Sequence, residues 1–191
     1  MIEFQEFPKM ARLSRDAIVT EKIDGTNAAI VVAHGLSDQL PPNAIALIGS
    51  MHIYAQSRSR FITPEDDNFG FARWVKEHAE ELAALGTGCH FGEWFGAGIQ
   101  RGYGLAEKHF ALFNVSRWAE ERPKCCDVVP TLWRGNFLDV DSDLLLDDLH
   151  RCGSVAAPGF MKPEGIVVYH TAARAGFKRT IEKDDAPKSQ A

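Results

Sequence analysis

An α+β domain is the architecture that this 191-residue sequence predicts, on three observations. Short runs of β-branched and apolar residues recur along the chain, bounded by Gly, Pro, Asn and Asp, as strands and turns require. Two longer stretches, 69 to 85 and 141 to 152, repeat apolar residues at helical spacing, the pattern of a helix with one buried face. No internal repeat, heptad or low-complexity linker divides the chain, and its length suits one domain with a sizeable core. Antiparallel sheets flanked by helices are therefore expected, as a single unit over residues 1–191.

Residues 1 to 16 contain Pro8 and little periodicity, and they read as an N-terminal strand or arm. Ala17 to Thr20 and Ala28 to Val32 are small or β-branched runs on either side of Asp24-Gly25, a hairpin-type dipeptide. A hairpin is expected there, with Lys22 near its tip and Glu21 pointing away from Lys22 by strand alternation. Such a string suits a solvated turn. It also suits a nucleophile, because nearby cations or a dry site favour the uncharged amine. After a loop from 35 to 43 marked by Pro41-Pro42, Ala44 to Ile48 and Met51 to Ser57 form two short strands around Gly49-Ser50. Alternation carried on to Arg60 places Arg58 and Arg60 on one face, fit either for gripping phosphate or for a solvated edge.

Residues 63 to 68 have the composition of a loop and helix cap. The helix from 69 to 85 then packs through Phe71, Trp74, Val75, His78, Leu82 and Leu85, and Gly86 and Gly88 stop it. A strand through Phe91 delivers Glu93 ahead of the glycine-rich turn Gly96-Ala97-Gly98. An acid at that place accepts from ribose hydroxyls or caps the turn. His109 to Val115 reads as a buried strand carrying Phe113, and residues 118 to 130 as a polar irregular stretch. The helix from 141 to 152 has an acidic N-terminal half that complements its dipole. Glu164-Gly165 leads into the β-branched run Ile166 to Tyr169, and a last strand, Gly176 to Ile181, carries Lys178. The tail, 184 to 191, is expected to fray.

Hydrophobic residues make up 45% and charged residues 25%, the balance of a soluble globular protein. No apolar run approaches the length of a bilayer span, and the first residues lack the features of a signal peptide, so a cytoplasmic setting is expected. The four cysteines contain no Cys-x-x-Cys pair and the seven histidines no ligand spacing, which argues against a structural zinc site. With a net charge of −5, a nucleic-acid partner must be met by a local basic patch.

The ordered set Lys22-x-Asp24-Gly25, Phe91-Gly92-Glu93, Phe110-x-x-Phe113, Glu164-Gly165-Ile166-Val167-Val168 and Phe177-Lys178 resembles the collinear motifs of the covalent nucleotidyltransferases. That superfamily comprises polynucleotide ligases and mRNA capping guanylyltransferases. Glu21-Lys22-x-x-Gly25-Thr26-Asn27, with Glu93-x-x-Gly96-x-Gly98-Ile99-Gln100, is most similar to the phage-type, nick-sealing branch of the ATP-dependent RNA ligases. The resemblance implies one nucleotidyltransferase (adenylyltransferase) domain of the ATP-grasp-like polynucleotide ligase type. It also implies an enzyme that joins 3′-OH and 5′-phosphate RNA ends, or seals a nicked duplex, through lysyl-AMP, with ATP and Mg²⁺ or Mn²⁺. A DNA ligase core, a GTP-dependent capping-type enzyme and a non-catalytic nucleotide- or RNA-binding module are the alternatives.

By the same resemblance Lys22 is the nucleophile, Glu21 reads the adenine edge, Phe113 stacks on the base and Glu93 binds the ribose. Arg58 lies near the sugar and the nucleic-acid end, Asn27 and Asp24 belong to the active site, Glu164 is the metal-associated acid, and Lys178 contacts the α-phosphate. Three departures stand out. Asp24 replaces the histidine common in the RNA-ligase branch. Thr180 occupies the place of a second lysine, for which Arg179 or Lys183 would substitute. The 13 residues after Lys178 are too few for an appended OB-fold or helical domain, so an accessory protein or an oligomer would take its part.

Overall fold

A computed structural model of the protein describes residues 2–35 and 39–182. Two sheets face each other. The smaller has the order β11 (Ala175–Thr180), β10 (Gly165–His170), β1 (Asp16–Lys22), β9 (Thr131–Asn136). The larger runs β3 (Ala46–Ile48), β4 (Met51–Ser57), β2 (Thr26–His34), β6 (Gly88–Gly96), β7 (Lys108–Leu112), β8 (Cys126–Val128), with β5 (Phe61–Ile62) paired to β4. Helices α1 (Phe71–Glu77) and α2 (Ala79–Leu82) cover the outer face of the large sheet, α3 (Val115–Trp118) lies at the cavity between the sheets, and α4 (Ser142–Cys152) covers the outer face of the small one.

Alternation along each strand explains the layering. In β1, Ala17 and Val19 pack with Ile166 and Val168 of β10 against Leu146 and Leu149 of α4, leaving Ile18, Thr20 and Lys22 for the opposite face. In β2, Ala28, Ile30 and Val32 join Ile53, Phe71, Val75 and Leu82 in the largest core. A smaller core between the sheets contains Ile18, Ile23, Phe95, Tyr103, Ala111 and Val115. The Asp67 carboxylate accepts from the N–H groups of Ala72 and Arg73, capping donors that the first turn of α1 leaves free.

Several expectations are corrected. β1 and β2 do not form a hairpin: both edges of β1 are taken, by β10 and β9, and β2 pairs with β4 and β6 in the other sheet. Residues 23 to 25 are therefore a link that crosses from one sheet to the other. The helix expected over 69 to 85 divides at His78 into α1, α2 and a 3₁₀ turn, Ala83–Leu85. The strand expected through Val115 ends at Leu112, because the Asn114 side chain accepts from Arg117 N–H and starts α3. The stretch to residue 130 contains β8, whose pairing with β7 is the one parallel ladder among the described residues. Among the described residues, 2 to 15 form no strand. Lys183 and the tail from 184 to 191 lie outside the described residues. Among those described, no helix is long and apolar enough to cross a membrane.

Candidate active site

The inner faces of the two sheets enclose a cavity of about 730 Å³. Register decides which side chains enter it. On the small sheet Lys22 lies opposite Gly165, Thr20 opposite Val167, and Val167 opposite Lys178, so these residues share the inner face. On the large sheet Asn27 lies opposite Glu93 and Ala29 opposite Phe91, and β7 hands over to Phe113 beside them. Lys22, Asn27, Glu93 and Phe113 all line the cavity.

Lys22 Nζ donates to Glu164 Oε2 at 2.6 Å, with the lysine side chain 19% and the glutamate 5% exposed. Gly165, next to Glu164, lets β10 and β11 lie close: a Cβ there would strike the Arg179 carbonyl oxygen of β11. Across the cavity Glu93 Oε1 accepts from the Gly25 N–H at 3.0 Å. Burial pushes the Glu93 carboxyl up to about 7; the Gly25 N–H and Lys22 pull it down, while Glu164 and Asp24 add to the rise. The link between the sheets is thus tied to β6 immediately after Lys22.

Asp24 is engaged on both sides. Its carboxylate accepts from Arg101 Nε at 3.0 Å, and its N–H donates to the Tyr103 hydroxyl at 2.7 Å. Glu21 points away from Lys22, and its carboxylate accepts from Ser154 Oγ, Val155 N–H and Ala156 N–H at 2.6, 2.8 and 2.9 Å. Glu21 is buried and also lines the cavity, with both of its carboxylate oxygens engaged in those three bonds. Arg58 stands exposed in the turn after β4. Arg60 forms a two-pronged ion pair with Asp66, so the paired arginine face expected from alternation does not form. Arg179 bonds Ser142 and Asp143 on the α4 side, and Thr180 lies opposite Gly165, which on its other side pairs with Lys22. Lys178 is exposed on the rim.

Some residues around the site had no role in the sequence reading. Phe91 and Tyr169 line the cavity half-exposed, and alternation with Glu93 and Val167 was the signal for both. Arg101 and Tyr103 gave no local signal at all. Among the described residues no cluster of three His, Cys, Asp or Glu could hold a metal. One or two carboxylates facing a phosphate-sized space do fit Mg²⁺ or Mn²⁺ arriving with a nucleotide, since such ions take few protein ligands and keep phosphate oxygens and water.

A comparison with curated proteins gave no match. Among solved structures, a Naegleria gruberi RNA ligase mutant with ATP and Mn superposes with a TM-score of 0.59 at 19% identity, covering 89% of this chain and 51% of that one. A mutant of the same ligase with AMP and Mn gives 0.56 at 19%, covering 88% and 50%, and the ligase with PPi gives 0.57 at 18%, covering 87% and 50%. The chain thus spans about half the length of these structures and shares their fold. The RNA ligase family profile matches residues 15–183, a span that includes both sheets and every side chain placed around the cavity, and the chain accordingly belongs to the RNA ligase family.

Proposed function

We propose that this chain is the ATP-dependent adenylyltransferase domain of an RNA ligase, of the ATP-grasp-like polynucleotide ligase type and close to the phage-type nick-sealing branch. The observation that carries this reading is the Lys22–Glu164 pair at 2.6 Å, facing Glu93 across one cavity. Relatives in fold have been solved with ATP, AMP and PPi, the reactant, the transferred group and the leaving group of such a step.

In the proposed reaction the uncharged Lys22 amine attacks the α-phosphorus of ATP. The Nζ–P bond forms, the bond from that phosphorus to the bridging oxygen breaks, and pyrophosphate leaves. The amine's proton passes to the Glu164 carboxylate, its hydrogen-bond partner. Glu93 receives the ribose hydroxyls, Phe113 stacks on the adenine, and Lys178 reaches from the rim to the α-phosphate. Asn27 belongs to the nucleotide site beside Glu93, and Arg58, at the same end of the large sheet, lies near the sugar and the RNA end. Glu164 would hold Mg²⁺ or Mn²⁺ together with phosphate oxygens, and the bound ion would neutralise charge on the departing pyrophosphate. Lysyl-AMP then passes AMP to a 5′-phosphate, and a 3′-OH displaces AMP to seal the strand. With ATP and RNA as co-substrates the cytoplasmic setting is retained. An accessory protein or a second copy of the chain is proposed to help grip the RNA.

Incubation with ATP and Mg²⁺ should raise the intact mass by one AMP, and Lys22→Ala should abolish that increase while preserving the folded circular-dichroism spectrum. Parallel reactions with GTP, nicked RNA and nicked DNA test the nucleotide and the strand. A GTP-only adduct, or an adduct that survives Lys22→Ala, overturns the assignment.

A further inference from the structure

The geometry points to Arg101 as a positioning residue that holds the Lys22–Glu164 pair in place against the Glu93 wall. This rests on the adenylyl-transfer reading above. The guanidinium makes contacts in three directions: Nε to Asp24 Oδ2 at 3.0 Å, Nη1 to the Lys162 carbonyl at 3.0 Å, and Nη2 toward Glu182 Oε2 at 3.7 Å. Asp24 lies two residues after Lys22, and Lys162 two residues before Glu164. A single side chain is therefore bonded beside both members of the reactive pair.

Arg101 comes from the other sheet. It sits on the loop that follows β6, and six of the nine residues from 96 to 104 have positive φ there: Gly96, Gly98, Gln100, Gly102, Tyr103 and Gly104. Gln100 and Tyr103 carry side chains in that region, which such residues avoid unless the surroundings hold them. The surroundings do hold them. Ile99 and Tyr103 are 0% and 2% exposed, the Tyr103 ring packs on Phe95 and Phe160, and turn hydrogen bonds close the loop at Ile99, Gly102 and Leu105. The strained loop is a rigid bracket, and what it presents toward the site is the Arg101 fork and the Tyr103 hydroxyl.

Lys22 and Glu164 belong to the small sheet, whereas Glu93 and the bracket belong to the large one. Sheet-to-sheet distance sets the angle at which the amine meets a phosphorus whose ribose is held by Glu93, and in-line attack is sensitive to errors of about 1 Å. A planar guanidinium can bond Asp24 and Lys162 along two fixed directions at once. A lysine ammonium at the same place is a point charge on a flexible stem and cannot reproduce both.

The test is single-turnover adduct formation with ATP and Mg²⁺ in R101K, R101A and D24N, each checked by thermal unfolding. R101K should slow the step at saturating ATP at least about tenfold while the ATP concentration giving half the maximal rate stays within about threefold, the signature of lost positioning rather than lost binding. The R101K/D24N double variant should be no slower than the slower single one, because the two act as one unit. An unchanged rate in R101K, a loss confined to ATP affinity, or additive losses would overturn the proposal. A second readout needs no nucleotide: limiting acetic anhydride should label Lys22 several-fold faster in R101K than in wild type, relative to the exposed Lys76, as the pair with Glu164 loosens. If wild type forms no adduct, the adenylyl-transfer reading fails, yet labelling still decides whether Arg101 holds the pair, and equal labelling in R101K sinks it. Should R101A not fold, R101K and D24N carry the test.

Discussion

Glu93 is the side chain whose chemistry the fold changes most. Its carboxyl, ordinarily near 4.5, is pushed up to about 7, chiefly by burial. Between those two values the folded protein holds a proton that the unfolded chain has released, so this group's contribution to stability falls as pH rises through that window. The whole change amounts to at most about 3 kcal/mol. In the proposed role Glu93 accepts ribose hydroxyls, which the ionised form does more strongly and on both oxygens, so ATP affinity should climb over the same window as stability declines. Glu93→Gln is expected to flatten both trends between pH 5 and 8, and urea unfolding and ATP titration across that range would reveal it; a variant as pH-sensitive as wild type would refute the assignment. Legibility at this scale was uneven. Alternation alone turned Glu21 away from Lys22, but nothing local announced that Ser154 to Ala156, 133 or more positions away, would receive its carboxylate.

Strands and helices were legible where composition was unmixed. β1, β2 and β10 are β-branched runs, and α4 keeps its apolar spacing over eleven residues, so local propensity and burial agree. β9 is Thr131–Asn136, with Arg134, Gly135 and Asn136 among its residues, and it becomes a strand because the open edge of β1 accepts it. Tertiary pairing there overrides weak propensity. The glycine of Phe91-Gly92-Glu93 has an element-scale explanation too. A Cβ at Gly92 would meet the Phe110 ring and the Ala111 carbonyl oxygen, so β6 and β7 can lie this close only without it. Gly92→Ala should lower stability by about 1–3 kcal/mol, as overpacking does, and urea melts would measure it. A neutral effect would mean that the strands separate freely, and the placement of Glu93 beside Phe113 would then lose its support.

For the whole molecule, the relation between the two sheets matters more than either sheet alone. They are joined by the link at residues 23 to 25, by the Arg101 contacts and by the small core around Ile23, Phe95 and Tyr103. Ile23 is 4% exposed in that core, whereas Ile53 is 0% exposed in the large-sheet core. Truncation of either to Ala should cost about 2–5 kcal/mol. Only Ile23→Ala is expected to slow adduct formation with ATP beyond what the folded fraction explains, because it loosens the seam beside Lys22. Equal residual rates in the two variants, after correction for folded fraction, would show that the seam does not govern the reaction.

The amino-acid sequence by itself determined the β-branched strands β1, β2 and β10, the helix α4, and the succession of charged residues that resembles the nucleotidyltransferase motifs, because these depend on neighbours within a few positions. Only the tertiary structure decided that β1 and β2 part company at Gly25, that Ser154 to Ala156 hold the Glu21 carboxylate, and that Arg101 joins Asp24. The contacts that make the site link Gly25 to Glu93, Asp24 to Arg101 and Lys22 to Glu164 across 68, 77 and 142 positions. Periodicity carries no information at such separations. Those partners are chosen by which faces are buried and which strand edges remain open once both sheets have formed.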